Sequence, residues 1–283
     1  MSLTKNQPLT VPAPIQGWIG LLLLAVCWPL NWSLAGMRTA YLFFPLWLGY
    51  ILVIDALVLR RTGSSLLVRS PRDFTLLFVA SAPVWWFFEL INKRTQNWEY
   101  IGSATLSDFE YYLLCSVSFS TVMPAVFETA ELIGSFPWLN RLSSGVRLRG
   151  GRLPPLICFL AGMGMFALVL LGPKHFYPLV WLSVFFILEP INIWLGKRNL
   201  LASLRAGDWR PVIALSLGAL ICGFFWEMWN YFSYPKWIYH TPGAEFFRIF
   251  EMPVLGYLGY LPFAWELFAL RNLFWPRTQQ FRI

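Results

Sequence analysis

The sequence predicts an all-α integral membrane protein of about eight transmembrane helices, arranged as two parallel four-helix repeats with both termini in the cytoplasm. Three observations predict it. The 283 residues are 57% hydrophobic and only 13% charged, where soluble domains carry roughly 25% charged residues. Eight stretches are long and apolar enough to cross roughly 30 Å of hydrocarbon as helix. The acids inside those stretches recur in one order and at one spacing in both halves of the chain.

Taken in order, the predicted spans cover residues 15–34, 39–59, 74–91, 109–133, 155–171, 176–195, 211–230 and 251–270. Ahead of them, residues 1–14 are polar and proline-rich without the basic-then-apolar layout of a cleaved signal, and are expected to form a flexible cytoplasmic tail. The first repeat takes 15–140, a basic cytoplasmic linker 141–153, the second repeat 154–275, and a second cytoplasmic tail 276–283. Pro29, Pro45, Pro83, Pro124 and Pro262 fall inside spans, which membrane helices tolerate because neighbours re-satisfy the freed backbone groups. Sixteen tryptophans and eleven tyrosines suit a chain with two headgroup interfaces.

Of the 22 Lys and Arg residues, sixteen gather on one side, among them Arg60, Arg61, Arg147, Lys197 and Arg271, and six on the other: Arg38, Lys93, Arg94, Lys174, Lys236 and Arg248. Basic loops stay inside, so the first side is cytoplasmic and the chain is a multi-pass protein of the cytoplasmic (inner) cell membrane. The net charge of +8 is then a topology signal whose natural partner is anionic lipid; nucleic acid is not needed to explain it. Cys27, Cys115, Cys158 and Cys222 all sit in apolar runs, without metal-ligand spacing, as small buried hydrophobes. His175 and His240 fall in loops, whereas a bis-histidine haem site wants them inside spans. No Gly-rich phosphate loop, zinc spacing or paired Asp-rich run is present, and no cofactor or metal is implied.

The internal duplication is the strongest feature. Phe88-Glu89-Leu90-Ile91-Asn92, Trp98-Glu99-Tyr100 and Phe109-Glu110 in the first half match Trp226-Glu227-Met228-Trp229-Asn230, Trp237-Ile238-Tyr239 and Phe250-Glu251 in the second. Glu128 follows Glu89 at the same interval as Glu266 follows Glu227, and Asp55 and Glu189 occupy the preceding spans. An even number of helices per half inserts both halves the same way up, with a pseudo-two-fold along the membrane normal and a natural cavity between them.

Asp55, Glu89, Glu128, Glu131, Glu189, Glu227 and Glu266 are half of the fourteen acids, and an acid at mid-helix in a bilayer costs roughly 2.5–3.5 kcal/mol. Glu89 and Glu227, with Asn92 and Asn230 three residues on and so on the same helical face, form an outer layer with Trp98, Tyr100, Glu110, Trp237, Tyr239 and Glu251. Asp55, Glu128, Glu189 and Glu266 form an inner layer of secondary candidates. Each has a bland reading: the inner acids pair with nearby Arg and Lys, the aromatics belong to an interface belt, and the Glu/Asn pairs glue helices together.

The outer set also has a chemical reading. A carboxylic acid kept protonated in an apolar site can deliver a proton to a carbon–carbon double bond. Trp and Tyr faces then hold the resulting cation, and a second carboxylate removes a proton from the neighbouring carbon or activates water. On this reading Glu89 or Glu227 is the donor and Glu110 and Glu251 are the base candidates. Asn92 and Asn230 belong to the same catalytic group, and Trp98, Tyr100, Trp237 and Tyr239 bind substrate.

The order of acid-bearing helix, Trp-x-Tyr loop and Pro- and Glu-containing helix start resembles the lycopene cyclase domain of membrane-embedded carotenoid cyclases and the related carotenoid hydratases. The resemblance is carried by Glu227, Trp237, Tyr239, Glu251, Pro253, Gly256, Pro262 and Trp265, with Glu89, Trp98, Tyr100 and Glu110 in the first half. It covers one short stretch in each half, running on from Glu89 and from Glu227. The family's Pro-x-Glu-Glu start is not matched: Glu110 is followed by Tyr111-Tyr112, and Glu251 by Met252-Pro253. The resemblance implies redox-neutral conversion of an isoprenoid or carotenoid-like lipid (cyclisation, hydration or isomerisation) without a bound metal. Two other expectations stand beside it: a non-catalytic or pigment-binding subunit of a larger membrane complex, and a proton-coupled transporter.

Overall fold

A computed structural model describes residues 14–275, apart from Arg149, Arg152 and the side chain of Thr105. The two expected tails, 1–14 but for Pro14 and 276–283, lie outside the described residues. Helix dominates. In chain order the elements are α1 (Ile15–Ser33), α2 (Arg38–Thr62), α3 (Leu66–Arg69), α4 (Pro71–Thr95), β1 (Trp98–Ile101), α5 (Asp108–Phe119), α6 (Val122–Gly134), α7 (Leu153–Leu171), α8 (Pro173–Phe176), α9 (Val180–Trp194), α10 (Leu200–Ala206), α11 (Arg210–Tyr231), β2 (Lys236–Tyr239), β3 (Arg248–Ile249), β4 (Met252–Pro253) and α12 (Tyr260–Phe274).

Among the described residues, seven helical stretches are long and apolar enough to cross a membrane: α1, α2, α4, α5 with α6, α7, α8 with α9, and α11. This is the architecture of a multi-pass membrane protein. Large apolar side chains on α1 and α7 remain open to the surroundings, as with Leu22 at 65% and Leu160 at 60% exposure, which is the behaviour of helices that face lipid.

The expected span at 251–270 is not one helix. Met252–Pro253 is a strand and Val254–Gly259 a 3-10 turn, so the α-helix starts only at Tyr260. Pro253 lacks the backbone donor an interior turn requires, and Gly256 and Gly259 are poor helix formers. At 1.5 Å per residue the fifteen residues of α12 rise about 22 Å, short of the ~30 Å hydrocarbon thickness.

The helices meet through small residues, as membrane bundles do when van der Waals contact replaces the hydrophobic drive. A Cβ on Gly20 of α1 would lie 2.6 Å from the Gly49 carbonyl oxygen of α2. Helix α6 is central, touching α2, α4 and α11, and α12 lies against α9 and α11. Trp47, Trp226 and Trp229 interlock at ring-centroid distances of 4.9–5.1 Å between α2 and α11, and the Trp32 indole donates to the Trp229 carbonyl.

The stretch expected at 109–133 is bent. Ser120 and Thr121 separate α5 from α6. At the break the Ser81 hydroxyl of α4 donates to the Phe119 carbonyl and accepts the Met123 amide at 3.0 Å, standing in for an i, i+4 rung. Pro124 brings no amide back to the Ser120 carbonyl, and a side chain inserted beside that gap completes the bend.

Candidate functional site

The two Trp-x-Tyr segments are strands, and they pair with each other. In the β1–β2 antiparallel ribbon Trp98 lies opposite Tyr239, and Tyr100 opposite Trp237. Directly opposed residues share a face, and every second residue returns to it. All four aromatic residues therefore lie on one face. On the other face Glu99 is exposed and meets His240 at 3.1 Å. The period-two spacing was visible in the sequence; the pairing of two segments from opposite halves of the chain was not.

Asn92 and Asn230 tie the ribbon to its helices. Asn92 Nδ2 donates to the Trp98 carbonyl at 2.8 Å while its Oδ1 accepts the Asn97 amide at 2.9 Å. Asn230 Nδ2 donates to the Trp237 carbonyl at 2.7 Å and its Oδ1 accepts the Trp237 amide at 3.0 Å. Both amides bond backbone groups at the start of their strands, so they position the ribbon.

Glu89 and Glu227 are buried, at 8% and 0% exposure, each inside a cage of aromatic donors. Glu89 Oε1 accepts from Trp85 Nε1 at 2.9 Å, Trp98 Nε1 at 3.0 Å and Tyr100 Oη at 2.6 Å. Glu227 Oε1 accepts from Tyr239 Oη and Tyr260 Oη, both at 2.7 Å. Trp237 Nε1 donates to Tyr239 Oη at 2.9 Å. Burial, reinforced by the facing carboxylates, pushes the Tyr100 and Tyr239 phenols well above the ordinary tyrosine range, so both remain donors at neutral pH.

The donors, and not the carboxylates, form the wall of a cavity of about 170 Å³ whose lining includes Trp85, Trp98, Tyr100, Trp237, Tyr239 and Tyr260. A smaller chamber of about 80 Å³ shares Trp85, Trp98, Tyr239 and Tyr260 with it. Each acid thus stands one hydrogen bond behind the surface of a common, largely apolar space.

The two cages are built differently. Trp85 lies four residues before Glu89 on the same helix face, whereas the residue four before Glu227 is Gly223. A Cβ on Gly223 would fall 2.4 Å from the Tyr260 ring. The glycine leaves the space that Tyr260, arriving from α12, fills. Trp85 was legible as an i, i+4 partner of Glu89; nothing local marks Tyr260 as a partner of Glu227.

The remaining candidates lie elsewhere. Glu110 is exposed and closes a capping box with Ser107, accepting its amide at 2.9 Å and its hydroxyl at 2.7 Å. Ser-x-x-Glu is itself a capping signature, and Glu110 does not line the cavity. Glu251 pairs with Lys236, which does line it. At the opposite end of the bundle, Asp55 accepts from Gln16, Ser65 and the Leu67 amide, and Glu189 accepts the Leu201 amide at 2.7 Å. Each takes up an N–H from the first turn of a short helix that follows its own span, where orphan donors are found. Glu128 and Glu266 are fully buried, and Glu131, beside Glu128, holds Arg69 at 2.7 Å.

No family model, curated protein or solved structure matches this chain. What the site can do follows from its own geometry. Two carboxyl groups, each coupled through a phenol to one aromatic chamber, can exchange protons with a bound molecule while remaining shielded from it, and the aromatic faces can stabilise positive charge.

Proposed function

We propose that the chain is a membrane-embedded acid–base catalyst that converts an isoprenoid or carotenoid-like lipid without net oxidation or reduction. The supporting observation is the pair of caged acids, Glu89 behind Tyr100 and Glu227 behind Tyr239, around one cavity. In the forward step the Tyr239 hydroxyl turns from Glu227 to the cavity and relays a proton from the Glu227 carboxylic acid to an alkene carbon in one concerted shift, leaving a carbocation and a carboxylate. In the closing step the Tyr100 oxygen takes a proton from the adjacent carbon and passes its own to Glu89, restoring a double bond. Exchange with solvent resets the two acids. The resemblance to the lycopene cyclase and carotenoid hydratase group supports the same chemistry.

On this reading the two halves are copies of one four-helix unit, the eighth crossing being completed by the 3-10 turn and α12 together. The matched contacts of Asn92 and Asn230, and of Asp55 and Glu189, support the duplication. The excess of basic residues at the end away from the ribbon supports cytoplasmic termini in the inner cell membrane, with anionic lipid at those loops.

Glu227→Gln, Glu89→Gln and Tyr239→Phe variants expressed in a carotenoid-producing host test the proposal. Altered pigment or prenyl-lipid profiles in wild type, lost in the variants, are expected; identical profiles in all four strains end it. A second reading, a pigment- or lipid-binding subunit of a larger complex, is favoured by the satisfied hydrogen bonds around Glu89, which allow a ligand to be held unchanged. Purification in mild detergent separates the two, since a coloured or multi-subunit preparation with no conversion supports the subunit.

A further inference from the structure

We infer that the groove separating α4 from α7, α9 and α12 holds one anionic two-chain phospholipid, its hydrocarbon against these helices and its phosphate among the basic residues at their ends away from the ribbon. The inference rests on the reading that anionic lipid gathers at that end and deepens it by naming a site. It is independent of the chemistry proposed at the cages.

Apolar side chains build the groove. Ala80, Val84 and Phe87 of α4 share the lining of about 650 Å³ with Met163 of α7, Leu188 of α9 and Phe274 of α12. Phe87, Met163 and Phe274 are 38%, 47% and 61% exposed, so protein leaves much of this wall uncovered. Water needs two to four polar partners to be held, and this lining of aliphatic and aromatic side chains is no place for it. Hydrocarbon is the occupant that such a wall accepts at membrane depth.

Volume sets the number of chains. A cavity of about 150 Å³ takes one benzene, six carbons, so this groove takes on the order of two dozen, more than a single acyl chain carries.

Charge selects the headgroup. Arg72 stands in the first turn of α4, Lys197 and Arg198 follow α9, and Arg271 lies in the last turn of α12. These ends come together: Lys197 Nζ donates to the Leu273 carbonyl, and Arg271 lies within electrostatic range of both Arg198 and Asp73, the neighbour of Arg72. Three of the helices that line the groove therefore gather cations at one end. Trp275, which lines the groove at that same end, is a residue type that favours headgroup depth. Basic pockets between membrane helices are where anionic headgroups lodge. Depth agrees as well. Arg72 precedes Ala80 by eight residues, about 12 Å of helix, close to the ~15 Å from the middle of a bilayer's hydrocarbon to its edge. A phosphate held beside Arg72 sends its acyl chains past Ala80 toward Phe87.

Native mass spectrometry of the full-length chain in mild detergent, exchanged against equal amounts of palmitoyl-oleoyl phosphatidylglycerol and phosphatidylcholine, tests the site. One phosphatidylglycerol per chain should survive, preferred at least tenfold, since each basic side chain near a headgroup contributes about fivefold. Met163→Trp fills the groove from an already exposed position and should release the lipid, while Leu22→Trp on the exposed side of α1 should retain it. Arg72→Glu, at an exposed position, should keep a bound lipid but cut the headgroup preference on the order of tenfold. Phosphatidylglycerol retained equally by wild type and Met163→Trp puts the lipid elsewhere and overturns the groove site, leaving anionic lipid at the basic loops intact. Equal retention of the two lipids by wild type, insensitive to Arg72→Glu, overturns both. A doubled mass without lipid assigns the groove to a second copy of the chain and overturns the inference.

Discussion

Replacing Glu89 separates the loss of a hydrogen-bond acceptor from its replacement by a weaker one, and the structure sets the sizes. Glu89→Ala leaves Trp85 Nε1, Trp98 Nε1 and Tyr100 Oη without the oxygen that all three share. An unsatisfied buried donor costs about 1–3 kcal/mol, and Tyr100 can recover part of this by turning toward the cavity, so a total of roughly 3–6 kcal/mol is expected. Glu89→Gln keeps a carbonyl oxygen in the same place as a somewhat weaker acceptor, at about 1 kcal/mol per bond or less, roughly 1–3 kcal/mol in all. The two variants should therefore differ by about 2–3 kcal/mol, which for a chain of this size moves a melting temperature on the order of 5–10 °C. Thermal unfolding in detergent, followed by tryptophan fluorescence and by recovery of monodisperse protein on size exclusion, measures it. Equal melting temperatures for the two variants would show that the three donors do not depend on this oxygen, and the cage would cease to be a structural unit.

Gly223→Ala should cost about 1–3 kcal/mol by overpacking against the Tyr260 ring, and the penalty should shrink when Tyr260→Leu is added, a coupling that a double-mutant cycle reads directly. Asn230→Ala strips the Trp237 amide and carbonyl of their shared partner, so hydrogen exchange at 236–239 and at the paired 98–101 should accelerate together; acceleration of one strand alone would contradict the pairing. Glu131→Gln breaks an ion pair with Arg69 in which the Arg69 and Glu131 side chains are only 8% and 4% exposed. It should lower stability by about 3–5 kcal/mol, whereas the apolar double variant Arg69→Met with Glu131→Leu should lower it less, checked by the same melting assay.

Much of this arrangement was legible in the chain. Composition and apolar run length identify the spans, because a helix in hydrocarbon must satisfy its own backbone and so must be long and greasy. The repeated Glu, Asn and Trp-x-Tyr order marks the residues that meet around the cavity. What was hidden is what depends on distance in sequence or on competing local chemistry. The ribbon joins a strand of the first half to one of the second, and no local signal encodes that pairing. Tyr260 reaches Glu227 from another helix through a gap left by a glycine. Glu110 was readable as a cap all along, since Ser107 stands three residues before it, but its position after the Trp-x-Tyr segment drew it into the site. At 251–270 hydropathy continues across Pro253, Gly256 and Gly259 where the helix does not, because greasiness and helix propensity are separate properties.

The Ser81 bridge makes the shape of 108–134 partly a property of the assembled bundle. Even excised from its neighbours that segment would be interrupted, because Pro124 returns no amide to the Ser120 carbonyl four places back and its ring crowds that oxygen. Only a second helix carrying a small hydroxyl at the right height can occupy the gap and leave neither peptide group bare in oil. Curvature here is thus begun by a proline within the segment and made tolerable by its neighbour, a single oxygen atom on α4 taking up the two peptide groups that the bend frees.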